Sequence, residues 1–150
     1  MNLIFVFLVI VFGITFFYVS YRLLSRHFHS IISPLNNAVK IYFTATLLGF
    51  GLALYNFSKF AHDLFQQFYA KKDMLTGILL FGLLIFLCLC FCVLTFRLVV
   101  VISKITIKEN EKAELIKGNF LISGFQSVLF LFFIALLSDA VLRLIAVMIS

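Results

Sequence analysis

The chain has 150 residues and a net charge of +6, and 64% of its residues are hydrophobic while only 12% are charged. A soluble domain usually carries about a quarter charged residues. The composition therefore excludes an ordinary soluble domain and indicates a single transmembrane domain, residues 1–150. The basic residues lie beside apolar runs and no nucleic-acid-reading motif accompanies them, so we expect the lipid bilayer and no nucleic acid as a partner.

The first two apolar runs predict the first hairpin. A hydrocarbon core of about 30 Å needs roughly 20 residues of helix, and residues 3–21 supply an uncharged run that ends before Arg22. No basic residue precedes this run, so we expect it to stay in place as a helix and not to be removed as a signal peptide. The second run, 41–58, is shorter, but its helix can begin near Asn37, which would act as its N-cap.

Span two carries small residues at a helical spacing. Ala45, Gly49 and Ala53 recur every four residues, and such a ladder lets two helix backbones approach closely in lipid. We expect this face to be a helix-packing surface. After Asn56, residues 57–70 place phenylalanines on one helical face and polar side chains on the others. This pattern predicts a short amphipathic extension of the second helix at the membrane interface.

Span three is the uncharged run 74–96, which contains three cysteines. Cys88 and Cys92 share one helical face, and Cys90 points nearly opposite. Three thiols on one helix need partners from another element to hold a metal, so we interpret them as small apolar residues. The sequence predicts no catalytic residue, no metal site and no cofactor.

Loop 104–117 is the longest polar stretch. We interpret it as a solvated helical turn that leads into span four, and it is also the place where we expect a protein partner to bind. Asn119 would cap the helix that follows. The end of the loop and the start of span four read Glu111, Glu114, Leu115, Ile116, Lys117, Gly118 and Asn119, then Ser123 and Gly124.

This stretch resembles a bacterial membrane-protein family known as domain of unknown function, number three-fifty. In that family, each even-numbered helix opens with an acidic stretch, followed by Gly-Asn and small residues. The resemblance implies a topology of two two-helix hairpins and no particular activity. The first hairpin departs from the pattern, because the loop before Asn37 lacks both the acidic residues and the glycine.

Span four, residues 118–138, places Ser123 and Ser127 at the spacing of the small residues in span two. We therefore expect the second and fourth spans to pack together. Gln126, with Asn56 of span two, is a candidate for a polar path between subunits. The simpler interpretation of both residues is packing within one chain.

Asp139 and Arg143 follow span four, and their spacing permits an ion pair along one helix. If the span is centred on 118–138, the pair lies at the membrane surface and is structural. If it is centred on 129–150, the pair lies in the bilayer and becomes a functional candidate. We expect the surface position.

The basic residues predict the orientation of an all-α membrane protein with four transmembrane helices arranged as two hairpins. Loops one–two and three–four, with their flanks, carry eight basic residues, and the opposite side carries four. Because basic loops stay in the cytoplasm, we expect a bacterial inner-membrane protein with both termini outside the cytoplasm. The eight are Arg22, Arg26, Lys40, Arg97, Lys104, Lys108, Lys112 and Lys117, and the four are Lys59, Lys71, Lys72 and Arg143.

These features suit a non-enzymatic multipass protein that acts as an oligomeric membrane subunit, or as an anchor of a larger assembly. We expect a homo-oligomer. The alternative is a small oligomeric ion channel or pore-forming subunit, because several copies of a short chain could supply the walls of a pore.

Overall fold

The computed structural model describes four stretches of the chain, which contain helices and turns and no β-strand: residues 3–29, 36–70, 73–107 and 111–149. Each of the four long helices is long and apolar enough to cross a membrane. They form two hairpins, so the predicted all-α fold is confirmed. The helices are α1 (Leu3–His29), α2 (Asn37–Ala70), α3 (Met74–Ile107), the short α4 (Glu111–Ile116) and α5 (Phe120–Ile149).

All four long helices are longer than the uncharged runs that predict them, and α2 and α3 exceed their runs most. α2 and α3 each have 34 residues, about 51 Å at 1.5 Å per residue, against a hydrocarbon core of about 30 Å. α2 passes through Lys59 and Asp63, and α3 passes through Arg97. Charged side chains end an uncharged run, but lysine and arginine are good helix formers, so the helix itself continues.

The amphipathic extension is the last part of α2 and not a separate element. Its apolar face is buried inside the protein, with Phe57, Ala61 and Phe65 at most 1% exposed. A Cβ placed on Gly77 of α3 would lie 3.2 Å from the Phe65 ring, so α3 packs closely on this face. The amphipathic face therefore packs against α3, and its position at the membrane surface stays a prediction.

α2 is the central helix. It packs most extensively on α5 and α3 and more lightly on α1. Within the described residues α1 touches α2 and α3 but not α5, so it is a peripheral helix.

A chain of aromatic rings joins the four long helices. Phe50 of α2 lies 6.3 Å from the ring of Phe16 on α1 and 6.0 Å from that of Phe130 on α5. Phe130 meets Phe96 of α3 edge to face at 6.3 Å, and Phe96 stacks on Tyr42 at 6.1 Å. Each such pair contributes about 0.5–1.5 kcal/mol beyond burial. Phenylalanine suits this core because its ring has no polar atom to satisfy.

α2 and α5 run parallel, and the charged residues near their ends lie at two heights along the helix axes, which we call levels. The end at which both helices begin is called the Asn36 end, and the opposite end is called the Lys59 end. From Lys40 to Lys59, α2 rises about 29 Å, and from Asn119 to Asp139 the chain rises about 30 Å. Both distances match the thickness of a hydrocarbon core.

Candidate functional site: the seam between α2 and α5

The seam between α2 and α5 contains most of the residues that the sequence singles out, and two hydrogen bonds fix its register. At the Asn36 end, the Ser123 hydroxyl donates to the Ala38 carbonyl oxygen at 2.6 Å. At the Lys59 end, the Asn56 side-chain amide donates to the Ser138 hydroxyl at 3.1 Å. The expected pairing of spans two and four is therefore present within one chain.

The small-residue ladder of α2 lies inside the bundle. Ala45 is 9% exposed and Ala53 is fully buried. Gly49 lies against the Phe130 ring so closely that a Cβ there would come within 2.9 Å of Phe130 Cδ1. Phe130 is itself fully buried between other rings, so it has little room to move. This face serves packing within the chain.

The serines of α5 satisfy their hydroxyls in two different ways. Ser123 crosses to α2, as described above. Ser127 donates to the Ser123 carbonyl oxygen of its own helix at 2.7 Å. Thr46 of α2 does the same with the Tyr42 carbonyl oxygen, also at 2.7 Å. Hydroxyls that bond the preceding turn are common where no other acceptor is near.

Gln126 differs from its neighbours. Its side chain is fully buried, and neither its amide nitrogen nor its oxygen bonds any described residue. A buried amide without a partner is costly, by about 1–3 kcal/mol. Such a group in a membrane helix is a candidate functional residue.

The structure does not join Asn56 and Gln126 into one path. Ser138, which accepts the bond from Asn56, lies twelve residues beyond Gln126 on α5, a rise of about 18 Å. Asn56 belongs to the Lys59 end and Gln126 to the half nearer the Asn36 end. Asn56 and Gln126 therefore do not adjoin within one chain, and a polar path between subunits through either residue stays a prediction.

The N-cap of α2 is Asn36 and not Asn37. The Asn36 side-chain oxygen accepts the backbone N–H of Val39 at 2.9 Å, whereas Asn37 is the first helical residue. The side-chain nitrogen of Asn36 donates to the carbonyl oxygen of Leu115 in α4. One carboxamide therefore caps α2 and ties it to the turn before α5.

Asn119 caps α5, since its side-chain oxygen accepts the N–H groups of Leu121 at 3.1 Å and Ile122 at 3.4 Å. Before it, Gly118 has a φ of +80°. The N–H of Gly118 bonds the Leu115 carbonyl and the N–H of Asn119 bonds the Glu114 carbonyl, each at 3.1 Å. This pair of bonds is a Schellman motif, which ends α4 and requires a left-handed residue at Gly118.

Glu114 holds this corner together from its side chain. One carboxylate oxygen accepts from Lys117 Nζ at 2.6 Å and the other from Asn119 Nδ2 at 3.1 Å. Leu115 beside it is fully buried. The end of loop 104–117 is thus folded onto the bundle and is not a freely solvated turn, while residues 108–110 of the expected partner site lie outside the described residues.

Asp139 and Arg143 form an ion pair, with 2.9 Å between Arg143 Nε and Asp139 Oδ2. Both side chains are more than 60% exposed. They line an open groove of about 360 Å³ between α5 and α2, and Lys59 and Asp63 line its other side. The pair therefore shares its level with the charged residues that end the uncharged run of α2.

Some contributors to the seam escape the sequence analysis. Asn36, Thr46 and Ser138 each make a bond described above. A polar residue within an apolar run was the signal for Thr46 and Ser138, and the pair of adjacent asparagines was the signal for Asn36. The cysteines follow the predicted faces, with Cys88 and Cys92 buried and Cys90 partly exposed. In the described part of the chain, no group of three or more His, Cys, Asp or Glu residues is placed to hold a metal ion.

Comparison with known proteins adds no family to this geometry: no family model, curated protein or solved structure matches the chain.

Proposed function

We propose that this chain is a non-enzymatic multipass protein of the bacterial inner membrane that acts as an oligomeric subunit or anchor of a larger membrane assembly. The observation that carries the proposal is how the polar groups of the α2–α5 seam are used. Asn36, Asn56 and Ser123 each bond another helix of the same chain. Groups used in this way hold a scaffold together.

The outer surface of the helices supports the same proposal. α1 and α5 are the least buried of the candidate spans. Their large exposed side chains are almost all apolar, as lateral contact with lipid or with another membrane helix requires. The exposed ones on α5 include Phe125, Val128, Phe132 and Leu136.

The oligomeric state tests the proposal. The full chain, purified in mild detergent and transferred to lipid nanodiscs, is expected to give one defined oligomer by light scattering and native mass spectrometry. A monomer in both media would overturn the oligomeric proposal. Expression of the chain with an affinity tag in its own host would then show whether a larger assembly copurifies, as an anchor requires.

One observation favours the second candidate, a small ion channel. Gln126 places in the buried interior, beside the aromatic core, an amide that bonds no described residue. Ion flux into liposomes, measured for the parent chain and for Gln126→Leu, separates the two candidates. Flux equal to that of empty liposomes supports the subunit or anchor, whereas flux that Gln126→Leu abolishes supports the channel.

A further inference from the structure

A lipid-facing crevice runs between α1 and α3. Three cavities of about 370, 330 and 260 Å³ open along it. The first two share Leu23 and Val93, and the last two share Leu89, so neighbouring cavities adjoin. The crevice follows α3 from Gly82 to Val101 and is lined almost wholly by apolar side chains.

The crevice exists because α1 rests on the bundle at separate points. Phe12 packs edge to face on Phe81 at 5.6 Å and covers Gly82. Phe16 reaches Phe50 of α2 one turn further along. Between these contacts and the end of α1, the side chains of α1 do not fill the space beside α3.

Arg97 is the one charged residue among those that line the three cavities. Its side chain is exposed, and it makes no ion pair with any described residue. Phe96, which precedes Arg97, stacks on Tyr42 of α2. Arg97 therefore lies near the Asn36 end, at about the same height along the bundle as Lys40. A guanidinium there can bind phosphate oxygens in bidentate fashion.

The length of the crevice suits one lipid chain. From Arg97 to Gly82, α3 rises about 22 Å, which exceeds half of a hydrocarbon core of about 30 Å. A chain whose headgroup sits at Arg97 can therefore lie in the crevice through the whole depth of its leaflet.

We propose that the α1–α3 crevice binds one anionic phospholipid, with its phosphate at Arg97 and one acyl chain against Leu23, Leu89 and Val93. A cation that pairs with no described residue, at one end of an apolar crevice, matches the charge and the shape of such a lipid. The proposal requires a membrane location but does not depend on whether the chain assembles into an oligomer.

Native mass spectrometry of the full chain tests the proposal directly. The protein in detergent is mixed with equal amounts of phosphatidylglycerol and phosphatidylcholine, and the adduct of each lipid is measured. The parent chain is expected to favour phosphatidylglycerol. Arg97→Gln should reduce that preference roughly fivefold, the effect of removing one basic residue at a membrane surface.

Lys40→Gln is the matched control, because it removes one exposed cation at the same end and lies outside the crevice. It should leave the preference unchanged. Equal binding of the two lipids by the parent chain would overturn the proposal. So would a loss in Lys40→Gln as large as in Arg97→Gln, since general attraction to a basic surface would then explain the preference.

A second variant tests the place of the acyl chain. Val93→Phe fills the space shared by two of the cavities and should lower the adducts of both lipids. Leu23→Phe fills the same space from α1, and it serves as the test variant if Val93→Phe does not fold. Undiminished adducts in a folded filling variant would show that the lipid binds elsewhere and would overturn the proposal.

Discussion

Gly49 illustrates how one missing side chain sets the distance between two helices. The Phe130 ring occupies the space that a side chain at Gly49 would need. Phe130 also contacts Phe50 and Phe96, so its position fixes α5 against both α2 and α3. A change at this one position therefore acts on the core of the whole bundle.

We expect Gly49→Leu to destabilise the protein by about 1–3 kcal/mol, the usual cost of overpacking. The free energy of unfolding, measured by titration with a denaturing detergent, checks this value. Gly13→Leu is the matched control, because a Cβ at Gly13 has nothing within 4 Å. If Gly49→Leu is tolerated and Gly82→Leu is damaging, the contact of α3 with α1 is the sensitive one instead.

The Asp139–Arg143 pair tests the depth of α5. We expect Asp139→Asn to change the midpoint of thermal unfolding little, because an exposed pair on one helix contributes only about 0.2–0.5 kcal/mol. Deep in lipid, an unpaired Arg143 would instead cost roughly 2.5–3.5 kcal/mol. A severe loss in Asp139→Asn that the double variant Asp139→Asn, Arg143→Gln recovers would place the pair in the bilayer.

At the scale of elements, the corner between α4 and α5 explains a sequence pattern in physical terms. The acid, glycine and asparagine that suggest a family resemblance each have a structural task. Glu114 accepts from Lys117 and Asn119, Gly118 supplies the left-handed turn, and Asn119 caps α5. These tasks account for the pattern without any activity.

Gly118 has a left-handed backbone conformation, which side chains other than that of glycine adopt at a cost. Its φ of +80° costs an L-residue about 1–2 kcal/mol, so Gly118→Ala should lower the free energy of unfolding by that amount. Gly118→Asn should lose less, since asparagine also adopts this conformation. Gly124→Ala is the control within α5, where a Cβ meets nothing within 4 Å and alanine favours the helix. Equal losses at the two glycines would contradict the assigned motif.

The sequence predicts which elements exist better than it predicts their faces and ends. Four uncharged runs reveal four helices, because lipid imposes length and apolarity on each span. α3 and α5 are apolar on nearly all sides, so periodicity does not show which side is buried. The polar residues Ser123, Gln126 and Ser127 mark the buried side of α5 instead, but they do not show that Gln126 lacks a hydrogen-bond partner among the described residues. The choice of Asn36 over its neighbour as N-cap was not predictable either, because backbone dihedral angles decide which of two adjacent asparagines precedes the helix.

At the scale of the molecule, the extended α2 and α3 form a hairpin that continues past the Lys59 level. From Lys59 to Ala70, α2 rises about 16 Å further. Phe65 and Gly77 pack together in this part. On α3 this part exposes Leu75, Leu79 and Leu83 and carries no charged residue, so its surface suits contact with lipid.

The basic residues predict which side of the membrane the Lys59 end faces. Four long helices place both termini on one side if each crosses the membrane, and the eight-to-four distribution of basic residues favours the outside. A reporter fused after Ser150 should therefore behave as external, with alkaline phosphatase active and green fluorescent protein dark. The same reporters inserted after Lys112 should give the opposite result.

A charge variant tests the cause of this orientation. Replacing four lysines by glutamine leaves four basic residues on each side of the membrane, so the fusion after Ser150 should then show mixed orientation. The four are Lys104, Lys108, Lys112 and Lys117. Cytoplasmic activity of the unmodified Ser150 fusion would reverse the topology and place the Asp139–Arg143 groove on the inner surface.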